Sequence, residues 1–363
     1  VNYPTMERMS PTPPAAEDAR HLPASDLLPG PCSLPGLDSL LARTHVVSIP
    51  LHTEFRGVRE REAVLIEGTE AWAEFSPFLE YGAAEAAHWL AAALEFGFDP
   101  ELHRFESGTV AVNATIPAVS ADAVASLAAR YRGCGTVKIK VAERGQQLHD
   151  DVERVIAVRE AFGDVAIRVD ANGGWSVDEA ERALRAFAAE GIQLQYAEQP
   201  VATVPELADL RRRVADLGVR IAADESIRKA DDPLAVARTS AADHAVVKVQ
   251  PLGGVRRAAE VVARSGLTAT VSSALETSVG LSMGAQLAAR LAEGQQSPFA
   301  AGLGTLALFA ADVCNDPRLP VNGAIPVAPA VPDASRLRDL AASGARRDWW
   351  IERIRECYAM LAS

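Results

Sequence analysis

From about residue 111 onward, short runs of β-branched and apolar residues recur at near-even intervals. They are 114–118 (ATIPA), 137–141 (VKIKV), 165–170 (VAIRVD), 194–198 (LQYAE), 219–224 (VRIAAD), 245–249 (AVVKV), 268–273 (TATVSS) and 299–304 (FAAGLG). Longer segments with helical periodicity lie between them, at 149–162, 177–190, 204–217 and 254–265. Strands alternating with helices predict parallel strands joined by right-handed crossovers. Eight units within about 195 residues predict an α/β fold of the (β/α)₈ TIM-barrel type, compact beside the roughly 250 residues usual for it. An open doubly wound sheet would call for a glycine-rich loop after its first strand, and residues 114–122 contain no glycine.

The rhythm before residue 111 differs. Residues 44–52 and 62–68 read as strands, and 82–95 (GAAEAAHWLAAALE) as an alanine-rich amphipathic helix. The predicted organisation is a proline-rich extension at 1–36, expected to be disordered, an α+β capping domain at 37–110, the catalytic barrel at 111–305, and a segment at 306–363. That last segment ends in a helix-like run carrying Trp349 and Trp350 and is expected to return onto the capping domain.

Composition narrows the classes. The net charge of −12 gives no electrostatic footing for nucleic-acid binding. No run approaches the roughly 18 apolar residues of a membrane span, and the N-terminus has no positive segment followed by an apolar one. Cys32, Cys134, Cys314 and Cys357 are too scattered for a zinc ribbon or redox pair. A cytoplasmic protein is expected, monomeric or a small homo-oligomer, acting on a small-molecule carboxylate.

Function in a barrel sits at the C-terminal strand ends. The second predicted strand ends in Lys138-Ile139-Lys140, the third in Asp170-Ala171-Asn172, the fourth in Glu198-Gln199-Pro200 and the fifth in Asp224-Glu225-Ser226, while the sixth contains Lys248. Successive charges are roughly 24–30 residues apart, about one βα unit each. A single Asp after a strand is most often a helix cap or turn residue. Five neighbouring strands delivering charge to one rim are a different matter. Lys138 and Lys140 share a strand face, and two ammonium groups there require carboxylates nearby.

Three converging carboxylates, Asp170, Glu198 and Asp224, in turn require a cation. Their all-oxygen chemistry selects magnesium, with manganese as a substitute, and disfavours zinc. No histidine joins the set: His149 and His244 read as surface or capping residues. A metal between two lysines suits removal of the weakly acidic proton beside a carboxylate, because the metal stabilises the resulting enediolate. The base must be neutral to act, and the ammonium of Lys138 and the metal both disfavour further positive charge at Lys140. The lysine-plus-magnesium arrangement is itself a worked case for enolase-superfamily sites.

On these residues the chain resembles the muconate-lactonizing-enzyme subgroup of the enolase superfamily, and within it the o-succinylbenzoate synthases of menaquinone biosynthesis. The stretches that carry the resemblance are FRGVREREAVLIEG (55–68), WAEFSPFLEY (72–81), VNATIPA (112–118), TVKIKVAE (136–143), RVDANGGW (168–175), AEQP (197–200), IAADESIRK (221–229), VVKVQPLGG (246–254) and VSSALETSVG (271–280). The resemblance implies a hydro-lyase that dehydrates 2-succinyl-6-hydroxy-2,4-cyclohexadiene-1-carboxylate to 2-succinylbenzoate. Lys140 would be base and then acid, and Lys248 the cation opposite. Asp170, Glu198 and Asp224 would hold magnesium, supported from behind by Lys138, Asn172 and Glu225. Ser272, Ser273 and Ala274 would meet the succinyl carboxylate, partly through backbone N–H groups, and Arg56 with Gly57 would belong to the loop over the substrate. Glu54 stands where such enzymes often carry a basic residue. An N-succinylamino acid racemase, or a related epimerase with both lysines as bases, is the alternative on the same scaffold. A catalytically dead barrel acting as a binding module is disfavoured by the presence of all five charged residues.

Overall fold

The computed structural model describes residues 34–55, 57–103, 107–228 and 233–362. The proline-rich stretch before residue 34 and the predicted loop residue Arg56 lie outside them. Among the described residues, no helix is long and apolar enough to cross a membrane.

After the short helix Leu37–Ala42 comes a three-stranded antiparallel sheet: β1 (Thr44–Phe55), β2 (Val58–Glu67) and β3 (Trp72–Phe75), in the order β1-β2-β3. The helix Ala83–Phe98 covers it and buries Trp89, Leu90 and Phe96. After β4 (Thr109–Ala111) the chain enters the barrel through β5 (Ala114–Ile116), β6 (Thr136–Lys140), β7 (Ala166–Asp170), β8 (Leu194–Glu198), β9 (Ile221–Ala223), β10 (His244–Val247) and β11 (Thr268–Val271). These seven are parallel neighbours in chain order. A further strand, β12 (Ala324–Pro326), pairs with β4 outside the barrel. Helices between the strands start where the sequence supplies caps. Ser176 with Glu179 and Thr203 with Glu206 each form a reciprocal capping box, satisfying N–H groups that the first turn leaves free.

The sheet closes on itself. On one edge the Gly302 N–H donates to Val271 O (2.7 Å) and the Ser273 N–H to Gly302 O (3.1 Å). On the other, the Ala301 N–H donates to Ala111 O (2.8 Å) and the Asn113 N–H to Ala301 O (2.9 Å). The eighth strand predicted over 299–304 is therefore an extended segment held by isolated bridges, not a regular strand. Its glycines explain this. A Cβ on Gly302 would lie 2.5 Å from Ser272 Oγ, and one on Gly304 would lie 2.3 Å from Asn113 O. Neither position has room for a side chain, and the chain turns at once into the 3₁₀ turn Gly304–Leu308.

Strand alternation divides the barrel. Val137, Ile139, Val169, Ala197, Ala223 and Val247 belong to the main core beneath the helices. Tyr196, Ala222 and Val246 form a separate small cluster with Phe299, as inward-facing residues should. Below the rim that interior also holds a buried polar network. Arg168 donates to Asn113 Oδ1 (3.0 Å), Ala300 O (2.9 Å) and Gln195 Oε1 (2.7 Å), with its guanidinium 4.7 Å from the Tyr196 ring centre.

His244 belongs to this interior, which corrects the surface or capping role read from the sequence. It opens β10, is fully buried, stacks on Tyr196 at 5.3 Å, and lies 2.8 Å from both Thr268 Oγ1 and Thr270 Oγ1. The alternation that points Lys248 inward points His244 inward too, four residues earlier. His149 is exposed, beside Glu153.

The last helix, Gly344–Leu361, lies against Ala83–Phe98 and the three-stranded sheet. Trp350 meets Phe75 edge-on at 5.8 Å and donates from Nε1 to Glu62 Oε2 (3.0 Å).

Candidate active site

The C-terminal strand ends form one rim, and the backbone is unusual around it. Ala142, Asn172, Gln199 and Leu275, which follow β6, β7, β8 and β11, all have positive φ without being glycine. Such conformations persist only where surrounding contacts hold them. Gln199 is one of the holders. Its Oε1 accepts from the N–H groups of Asp224 (3.0 Å) and Ser226 (3.1 Å), and its Nε2 donates to Val201 O and Ser226 Oγ.

Lys138 and Lys140 rise on the inner face of β6. Lys138 Nζ lies 3.0 and 3.1 Å from the two Glu198 carboxylate oxygens and 3.5 Å from Asp170 Oδ2. Lys140 Nζ donates to Asn172 Oδ1. On the far side, Lys248 Nζ lies 2.5 Å from Asp224 Oδ2. The strand β10 stops at Val247, one residue before Lys248, which was expected within it; Lys248 keeps extended backbone and leads into the turn Val249–Leu252. Because β6 and β10 are four places apart in an eight-membered ring, Lys140 and Lys248 stand on opposite walls.

Electrostatics follow from burial. For Glu198, burial pushes its pKa up to about 7; Lys138 opposes this, while Asp170 and Asp224 add to it. For Asp224, burial works against ionisation, but Lys248 and Arg228 outweigh it and hold the carboxyl below its usual range. Asp170 is likewise lowered, with Lys138 and Lys140 overcoming its burial. Lys138 is raised in spite of burial, because Glu198 and Asp170 face it.

This chemistry fits a hard divalent cation: three fully buried carboxylates, one of them costly to ionise, with no soft donor among them. Among the described residues the three are turned to ammonium and guanidinium partners and are not gathered into a metal-ready cluster.

A narrow cleft opens onto this rim. Lys138, Asp170, Asn172 and Lys248 line its floor, Ser272, Ser273 and Ala274 one wall, and Phe55 and Phe78 reach in from the first 80 residues. Glu198, Asp224 and Lys140 sit just behind this lining. Glu225 lies further back, accepting from Asn172 Nδ2 (3.2 Å) and Arg228 Nη2 (2.5 Å).

The wall differs from expectation in one respect. The Ser272 N–H is taken by Val247 O (2.8 Å), that of Ser273 by Gly302 O (3.1 Å), and that of Ala274 by Glu276 Oε2 (2.8 Å). Barrel closure and Glu276 use the amides that were expected to face a carboxylate. The hydroxyl of Ser273 is paired with Thr305 Oγ1 at 2.5 Å, and Thr305 also lines the cleft. At the hairpin tip, Glu54 pairs with Arg59 (2.7 Å) and Gly57 turns with φ +73°.

Sequence reasoning passed over Arg228, Phe78 and Thr305. Arg228 Nε lies 3.0 Å from Asp224 Oδ1, and its Nη1 lies 3.0 Å from Tyr81 Oη. Its position four residues after Asp224 was a usable signal, since residues so spaced meet on a helical turn. Phe78 and Thr305 gave none.

Residues 119–333 match the family description "Enolase C-terminal domain-like", and residues 46–97 match "Enolase N-terminal domain-like". The o-succinylbenzoate synthase of Mycolicibacterium smegmatis is 52% identical over 328 residues, covering 90% of this chain and 99% of that protein. The o-succinylbenzoate synthase of Mycobacterium leprae is 52% identical over 330 residues, covering 90% of this chain and 95% of its own.

The chain belongs to the o-succinylbenzoate synthase family of the enolase superfamily.

Solved structures bear on the fold. The L-Ala-D/L-Glu epimerase of Bacillus subtilis superposes with a TM-score of 0.67 at 22% identity, over 80% of this chain and 96% of that one. Muconate lactonizing enzyme from Pseudomonas fluorescens does so at 0.68 and 20%, over 83% and 98%. A closed parallel barrel with capping elements from both ends of the chain is thus common to an o-succinylbenzoate synthase family member and these enzymes.

Proposed function

We infer that the chain is a carbon–oxygen lyase of menaquinone biosynthesis that dehydrates 2-succinyl-6-hydroxy-2,4-cyclohexadiene-1-carboxylate to 2-succinylbenzoate. The observation that carries this is 52% identity, over 90% of the chain, to an o-succinylbenzoate synthase. In the proposed mechanism Lys140 Nζ takes the proton on the carbon beside the carboxylate, and the C–H electron pair enters an enediolate. Lys140, now an ammonium, returns that proton to the ring hydroxyl. The C–O bond breaks, water leaves, and the ring becomes aromatic. Asn172 orients Lys140 by accepting from its Nζ. Lys248 serves as a cation on the opposite wall, anchored by Asp224.

Asp170, Glu198 and Asp224 would hold magnesium, which supplies positive charge against the dianion that proton removal creates. Lys138 and Arg228 orient these carboxylates, and Phe55 and Phe78 exclude water above them. The hydroxyls of Ser272 and Ser273 line the wall proposed for the succinyl arm. Formation of 2-succinylbenzoate is expected with magnesium present and none after chelation; turnover in the chelated protein would remove the metal from this scheme. Incubation with N-succinylamino acids in deuterated buffer tests the reaction itself. Racemisation with exchange faster than dehydration would overturn the lyase assignment.

A further inference from the structure

We propose that Arg61 is a positioning residue that sets the shape of the succinyl-arm wall from the three-stranded sheet packed against it. This rests on the reading above.

Arg61 sits in β2, outside the barrel, yet its guanidinium is fully buried against the barrel loop. Nε donates to Leu275 O (2.8 Å), and Nη2 to Ala274 O (3.3 Å) and to Ser76 O. The guanidinium carbon lies over the Phe78 ring, 4.5 Å from its centre. One cation therefore grips two walls of the cleft: Ala274 and Leu275 on the barrel side, and Phe78 with Ser76 on the other.

The gripped loop needs holding. Leu275 has φ +61°, a conformation that a branched side chain rarely adopts unaided. The next residue, Glu276, takes the Ala274 N–H, so that peptide is fixed at its N–H and its neighbouring carbonyls at once. The carboxyl groups facing Arg61 are Glu74 and Glu276, both buried, with Glu80 contributing less. The planar guanidinium spreads its donors toward three carbonyls in fixed directions, whereas an ammonium gathers its three donors at one point on a flexible stem.

The test compares two ligands in the magnesium-loaded full chain. 2-Succinylbenzoate carries the arm, and benzoate lacks it. Arg61→Lys keeps the charge but loses the fork. Expected are a weakening of 2-succinylbenzoate binding by about tenfold or more and a rise in substrate KM that exceeds the fall in kcat, with benzoate binding changed less than about twofold. Arg61→Met, which loses charge and fork together, should weaken the arm-bearing ligand further. Equal weakening of both ligands, unchanged binding of both, or an Arg61→Lys protein that does not fold would each overturn the assignment and leave Arg61 a scaffold residue. Wild-type protein that neither binds 2-succinylbenzoate nor forms it would instead sink the reading on which the proposal rests.

Discussion

Replacing His244 by glutamine isolates one buried group whose titration acts on the whole barrel. Burial, with Arg168 and Arg220 adding to it, lowers the ring's pKa from 6.5 to about 3. The native ring is therefore neutral through the accessible acid range, while the unfolded chain's histidine protonates below 6.5. Below that pH the unfolded state binds a proton that the native state does not. The contribution of His244 to stability is thus complete above pH 6.5 and is lost progressively as pH falls toward 3. With 1.36 kcal/mol per pKa unit, the loss between pH 7.5 and 5.0 comes to about 2 kcal/mol. Urea unfolding of wild type and His244→Gln at those two pH values provides the assay. Carboxylates and other histidines titrate in both proteins and cancel in the difference. The variant is expected to be the less stable at pH 7.5, through lost stacking and hydroxyl contacts, and the gap should narrow by about 2 kcal/mol at pH 5.0. A gap that stays constant would refute a neutral, desolvated His244.

Lys140→Ala should lower 2-succinylbenzoate formation by at least ~10³, within the range general-base removal gives, while calorimetry still detects magnesium binding; near-normal dehydration would remove Lys140 as the base. Glu95, pushed up to about 7 chiefly by burial, accepts from the N–H groups of Val255 (2.6 Å) and Arg256 (3.2 Å) at the start of a helix. Glu95→Ala should cost about 1–3 kcal/mol in urea unfolding and leave turnover per folded molecule unchanged; an unshifted midpoint would show those amides to be satisfied otherwise.

What could be read along the chain was what short segments decide locally. The strand–helix rhythm gave the parallel barrel, and the charged strand ends gave the inward set. A strand's alternation fixes both which residues share a face and where its last side chain points. Other elements had no local signature. The helix Ser278–Glu293 is buried over most of its length, so it shows no polar stripe to reveal its period. The strand Trp72–Phe75 is four residues long and exists as the third member of a sheet.

The sequence by itself therefore determined the fold class, the order of the units and the acids and lysines of the rim, because each follows from periodicity within one βα unit. Only the tertiary structure decided how the ring closes, since residues 301 and 302 pair through backbone with partners about 190 and 30 residues away. It also decided that His244 is interior, that the wall amides are already engaged, that Phe78 reaches the cleft from the N-terminal segment, and that Arg61 of β2 holds the wall through backbone carbonyls. Those facts depend on long-range contacts that no window of sequence contains.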